Sequence, residues 1–210
     1  VLEYGMNRKG ASDMTLRFFL LPYLQRFHEA YPKIKLTVTN GPTPETLRYM
    51  QEGRIDFGVV TSPVTGHEEV SVFPVRSIRD TFVAGYKFWE YKNRIIPLKE
   101  LADVPLICLE KNTSTRRYMD QFLKASGVLV HPEIELATSD MLIQFAVRNL
   151  GIASVVRNFA EEHLAEGDLF ELRFLEEIPA RTFCIVANER IPLSAAAATL
   201  MNVLVQGTSQ

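Results

Sequence analysis

The chain has 210 residues, 47% of them hydrophobic and 23% charged, the balance of a globular protein with room for one large domain or two small lobes. Its net charge of −2 and pI of about 6.1 argue against a nucleic-acid binder acting alone, since phosphate binding needs a concentrated basic face. No apolar run approaches the roughly 20 residues that span a bilayer, and no secretory leader opens the chain, which points to the cytoplasm.

Short apolar strands alternate with amphipathic helices, the pattern of a mostly parallel sheet. A strand is expected near Leu2–Met6, followed by a loop from Asn7 to Ser12. A helix capped by Ser12 then runs from about Asp13 to Ala30, with Leu16, Leu20, Leu24, Phe27 and Tyr31 on one face. Phe18, Phe19, Leu21 and Tyr23 make a second face apolar and call for a second packing partner. Pro22 lies inside this stretch and predicts a kink or a local change of hydrogen bonding. Ile34–Thr39 alternates as a half-buried strand, and Gly41-Pro42-Thr43 caps a short helix from Pro44 to about Glu52. Ile55–Val60 reads as an interior strand, with further strands at Val70–Val75 and Thr81–Gly85.

The same grammar returns downstream. Leu106–Leu109 is a strand, and the polar loop Lys111–Thr115 caps a helix that runs to about Ala125. Ile134–Ala137 is a strand, and Thr138 and Ser139 cap a helix with Leu142, Phe145, Ala146 and Leu150 inward, ended by Gly151. Ile152–Val156, a helix near Phe159–Glu166, strands Leu169–Phe174 and Arg181–Ala187, and a helix capped by Ser194 complete the chain.

Catalytic signatures are missing. His28, His67, His131 and His163 are scattered without metal-ligand spacing, and no phosphate loop or nucleophile elbow occurs. Adjacent acids such as Glu68-Glu69 and Glu176-Glu177 read as solvated, and Cys108 and Cys184 read as buried free thiols inside strands. No catalytic group, metal or cofactor is expected. What recurs is a strand, a polar turn, then a helix that starts on Ser or Thr. Such helix starts offer unpaired N–H groups and partial positive charge to an anion. Arg8 and Lys9 beside the first, and Arg116 and Arg117 beside the third, strengthen the case for an anionic ligand.

The order of motifs resembles the effector-binding domain of LysR-type transcription regulators. The matching stretches are Leu20–Pro32, Ile34–Val38, Leu47–Val60, Leu101–Ile107, Thr115-Arg116-Arg117 with Asp120, and Phe145–Ala153. The resemblance implies an α/β fold of the periplasmic-binding-protein type II, two Rossmann-like lobes joined by two crossing strands near Thr81–Ala84 and Phe183–Ala187. Lobe I would comprise residues 1–80 and 188–210, and lobe II residues 81–187. It implies a small-molecule effector held in the interlobe cleft by Asn7, Arg8, Ser12, Thr15, Thr43, Thr61, Thr113, Ser114, Thr115, Thr138 and Ser139. The loop 7–12 is several residues longer than the family's usual turn, which leaves open whether Asn7, Ser12 or Thr15 takes the contact. The family also implies a homodimer or homotetramer, no membrane, and DNA contact only through an N-terminal winged helix-turn-helix absent here. The abrupt opening at Val1 fits a fragment of such a protein. A solute-binding protein that feeds a transporter shares the fold, and an enzyme on the same architecture would need converging acid, base or metal groups that the sequence does not show.

Overall fold

The computed structural model describes residues 6–11, 13–64 and 69–206, with side chains from Met14 onward except Asn40. The expected strand at Leu2–Met6 therefore lies mostly outside the described residues, as do Ser12, His67 and Glu68. The chain divides into two compact units, Val1–Ser77 with Thr182–Gln210, and Ile78–Arg181. The passages from unit to unit fall at Ser77/Ile78 and Arg181/Thr182. Thr81–Ala84 thus belongs to the sheet of the second unit and Phe183–Ala187 to that of the first, which shifts the expected lobe limits by a few residues.

In the first unit, β1 (Met6–Ala11) pairs in parallel with β2 (Lys35–Asn40) and with β3 (Phe57–Thr61). The far edge of β3 pairs antiparallel with β11 (Ala180–Asn188), Phe183 opposite Thr61 and Ala187 opposite Phe57. β1 corrects the loop expected from Asn7, because the ladder joins backbone groups and accepts Asn7, Arg8 and Lys9 as readily as apolar residues. The residues expected as a loop are strand from Asn7 to Ala11.

That helix is interrupted. It comprises α1 (Asp13–Thr15), a π-helical turn (Leu16–Leu20) and α2 (Leu21–Ala30). Leu21 N–H donates to Leu16 O, five residues back, immediately before Pro22, which has no N–H to give. The extra residue rotates the buried face so that Phe19 and Leu20 precede Leu24 and Phe27 in the core. Phe19 stacks on Phe183 of β11, ring centroids 5.6 Å apart. Leu47 and Met50 of α3 (Thr43–Gln51) cover the opposite face of the sheet with Val60, Cys184 and Val186. The last helix, α7 (Ala195–Gln206), is capped by Ser194, whose Oγ accepts from Ala197 N–H at 3.1 Å.

The second unit repeats the plan. β6 (Leu106–Leu109) pairs in parallel with β7 (Ile134–Leu136) and β8 (Ile152–Val156), and β8 pairs antiparallel with the end of β4 (Val70–Ala84). β4 is one strand of 15 residues where the sequence suggested two, because Val75 and Ile78 are buried at a spacing of three and hide the alternation. One face packs Phe82, Leu106, Cys108 and Ile152 against Met119 and Leu123 of α4 (Ser114–Ala125). Helix α5 (Ser139–Val147) buries Leu142, Ile143 and Ala146. Each fully buried Leu or Phe contributes about 2 kcal/mol. Leu150, expected inward, is 50% exposed, because α5 stops at Val147 and Asn149 turns the chain with a φ of 61°.

Candidate functional site

The parallel strands of each unit end at one edge, and helices begin there. In the first unit Ala11 lies opposite both Asn40 and Val59. Ser12, outside the described residues, follows β1; Thr43 follows β2 at the start of α3; Thr61 closes β3. Thr15 and Thr61 are buried, at 2% and 7% exposure. Asn7 and Arg8 are placed elsewhere. They lie in β1 opposite Leu36 and Thr37, so Asn7 is four residues and Arg8 three residues short of the edge, about 13 and 10 Å along the strand. Thr43 is corrected from cap to first helical residue. Pro42 occupies the cap with extended φ and ψ of −67° and 158°, and no side chain caps this helix.

In the second unit Leu109 lies opposite Leu136, and Glu110 N–H donates to Leu136 O at 3.0 Å, so α4 and α5 start side by side. Thr113 caps α4 in both directions: its Oγ1 accepts from Arg116 N–H at 3.3 Å and donates to Glu110 O at 3.0 Å. Thr138 caps α5, accepting from Met141 N–H at 3.4 Å. Ser139, the first residue of α5, is 7% exposed, and its hydroxyl has no partner among the described residues. A buried hydroxyl without a hydrogen bond costs about 1–3 kcal/mol, so its presence beside a helix start marks a place for a ligand oxygen.

A family model described as the LysR substrate binding domain matches residues 8–209. The chain belongs to that family. It is 26% identical over 171 residues to the HTH-type transcriptional regulator YeiE of Escherichia coli, covering 81% of this chain and 57% of that protein. Among solved structures it superposes on the Synechocystis CcmR regulatory domain, in complex with 2-PG, with a TM-score of 0.89 at 20% identity and 98% coverage of both chains. The effector-binding domain of QuiR, in complex with shikimate, gives 0.86 at 14% identity, again covering 98% of each. These likenesses establish the LysR fold. The chain spans about half the length of the curated relatives it matches, 45% and 57% of two of them.

For this LysR domain the cation inventory changes. Arg116 is only 5% exposed, and its guanidinium is held inside the unit. Nε donates to both oxygens of Asp120 at 2.9 Å, and Nη1 to Leu109 O at 2.8 Å, with Glu135 at 3.4 Å. Burial opposes its charge, but the bond to Asp120 and the neighbouring acidic groups raise its pKa overall. Arg117 is exposed. The sequence missed a second buried arginine, Arg181, whose Nε and Nη2 grip the two oxygens of Asp80 at 2.5 and 2.7 Å. These two residues stand 101 positions apart, and no local pattern joins them.

Both thiols are free and buried. Burial pushes Cys108 up from 9.0 to about 12, with Arg116 pulling the other way, and burial also raises Cys184. A cavity of about 530 Å³ in the second unit is lined by Thr81, Phe170, Glu171, Arg173 and Phe174 among others, and none of the expected site residues reaches it. Glu171 there is saturated by Arg79, Thr81 and Arg157 at 2.7, 2.9 and 3.0 Å. His163, Glu166 and Asp168 bring three potential metal-ligand atoms within 4.8 Å, a grouping that sequence spacing concealed because the Gly167 turn makes it. The His163–Asp168 contact of 3.1 Å closes that turn. No described helix is long and apolar enough to cross a membrane.

Proposed function

We propose that this chain is the effector-sensing domain of a LysR-type transcription regulator that binds a small anionic molecule, a carboxylate or phosphate, and performs no chemistry on it. The effector's anionic group is held at the paired starts of α4 and α5 by Thr113, Ser114, Thr115, Thr138 and Ser139. Asn7 and Arg8 drop out, since β1 carries them away from the helix starts.

The observation that carries this reading is Ser139, a buried hydroxyl with no partner among the described residues, at the first residue of a nine-residue helix. Helix starts attract anions through free N–H groups and the helix dipole, worth about 0.3–1 kcal/mol each at exposed sites. The ligands named for the neighbouring structures, 2-PG and shikimate, support a small-molecule effector. In the whole protein, binding shifts the arrangement of subunits, and the N-terminal domain reads the change at DNA in the cytoplasm. A ligand can do this only through unequal affinity for the two arrangements.

Calorimetry with small acids, 2-PG and shikimate among them, tests the site on the wild type and on Ser139→Ala. At least one acid should bind the wild type, and the variant should bind it about tenfold more weakly, the effect of about one charge-assisted hydrogen bond. Binding that Ser139→Ala leaves untouched, or no binding at all, removes the site assignment.

A further inference from the structure

Arg181 is the last residue of the second unit before the chain passes back to the first, and Asp80 follows closely on the opposite passage. Their side chains are 2% and 0% exposed. The bidentate contact cancels the charge of both, so the pair presents no net charge to its surroundings. Stability is a weak reason for such a pair, because apolar residues of the same volume serve as well or better. The guanidinium does more than hold Asp80. Its Nη2 also donates to Thr115 Oγ1 at 3.2 Å, and its Cζ lies 4.6 Å from the centre of the Tyr118 ring.

Thr115 is the second residue of α4 and only partly buried. Arginine has no acceptor, so the direction of this bond is fixed: Thr115 accepts. Its own hydrogen is left over, and no described residue accepts it. A threonine free to rotate can present either a donor or a lone pair to a ligand. This one has one lone pair committed to Arg181, which restricts its rotamer and leaves its hydrogen and a second lone pair for a ligand.

We infer that Arg181 is a positioning residue of the effector site, which holds the Thr115 hydroxyl in one rotamer for a hydrogen bond to the effector. The inference rests on the proposed function for the ligand and on the geometry alone for the positioning.

Threonine-labelled NMR of the 210-residue chain separates the two layers. In the wild type the three-bond couplings of the Thr115 methyl should report one χ1 rotamer. In Arg181→Lys, and in Asp80→Asn combined with Arg181→Gln, Thr115 should average over rotamers, while the couplings of Thr113 and Thr138 stay fixed. The second variant replaces the ion pair with neutral amides and reads the same coupling should the first fail to fold. Averaging in the wild type, or a fixed rotamer in either folded variant, overturns the positioning role. Titration with inorganic phosphate and shikimate follows. A probe that shifts Ser139 should also shift Thr115 and bind Thr115→Val about tenfold more weakly, the loss of one hydrogen bond. A probe that shifts Ser139 and ignores Thr115→Val overturns the contact of Thr115 with the effector. Absence of any shift at either residue counts against the site itself and leaves the rotamer result to decide the positioning.

Discussion

The Nε of Arg116 lies 2.9 Å from each carboxylate oxygen of Asp120, one helical turn along α4. This contact, with Leu109 O at 2.8 Å, makes Arg116 a strut between β6 and α4 where the sequence offered a cation for an anion. Its partners are partly exposed, Asp120 at 41% and Glu135 at 36%, which discounts the pair below a fully buried one. Arg116→Ala should lower stability by about 2 kcal/mol. Arg117→Ala should change it by less than about 0.5 kcal/mol, as for an ordinary surface residue. Urea unfolding of both variants decides it: equal losses would remove the strut.

The helix starts separate into structural and functional hydroxyls. Thr113 and Thr138 accept backbone N–H bonds at 3.3 and 3.4 Å, so Thr113→Ala and Thr138→Ala should each cost about 1 kcal/mol. Ser139 bonds to nothing described, so Ser139→Ala should cost nothing and should raise stability by up to about 1–3 kcal/mol, the penalty of the unsatisfied hydroxyl. Thermal unfolding without ligand provides the comparison. A loss above about 1 kcal/mol for Ser139→Ala would mean the hydroxyl has a structural duty, and the argument from its lack of a partner would fail.

The sequence yields whatever is written locally. Period-two alternation places β2, and Thr113, Thr138 and Ser194 mark helix starts because a cap is a contact over three residues. Pro22 announces the π turn before it, since a missing N–H must be accommodated within one turn. Where a strand is defined by partners far away, the reading slips. Polar Asn7, Arg8 and Lys9 pair with β2, Lys9 also with β3, and β4 runs unbroken through Arg76, Ser77 and Arg79. The site divides in the same way. Ser and Thr at helix starts were legible, but Arg181 meets Asp80 and Thr115 only through the fold.

Cys108 links burial to alkaline stability. Its thiol stands at about 12 in the folded chain, against roughly 8.5 for an exposed cysteine. Above about pH 9 the unfolded chain has given up this proton and the folded chain keeps it. Stability from this group is therefore complete below the unfolded value and falls as pH rises toward the folded one. Denaturant unfolding at pH 7 and pH 10 should show a steeper loss for the wild type than for Cys108→Ala. The native thiol should also resist iodoacetamide at pH 8, where only about one part in ten thousand is thiolate. Matching slopes, or rapid native alkylation, would contradict this account.

Gly151 gives a test of backbone packing beneath α5. The sequence suggests a helix stop, but the stop is made earlier by Val147 and Asn149, and Gly151 serves a different need. A Cβ at this position would stand 2.9 Å from Pro105 O and 2.8 Å from Ile107 Cγ1. The Pro105 carbonyl is held by Ile152 N–H at 2.8 Å, so it cannot retreat without breaking the link from β8 to the start of β6. Gly151→Ala should cost about 1–3 kcal/mol, the range for overpacking a filled site. At Gly41 the close atom is Glu45 Oε2 at 2.7 Å, the far end of a flexible side chain that can swing away. Gly41→Ala should therefore cost less than about 1 kcal/mol. Differential scanning calorimetry ranks the two, and a Gly41→Ala loss equal to that of Gly151→Ala would show that the fixed carbonyl is not what forbids the methyl group.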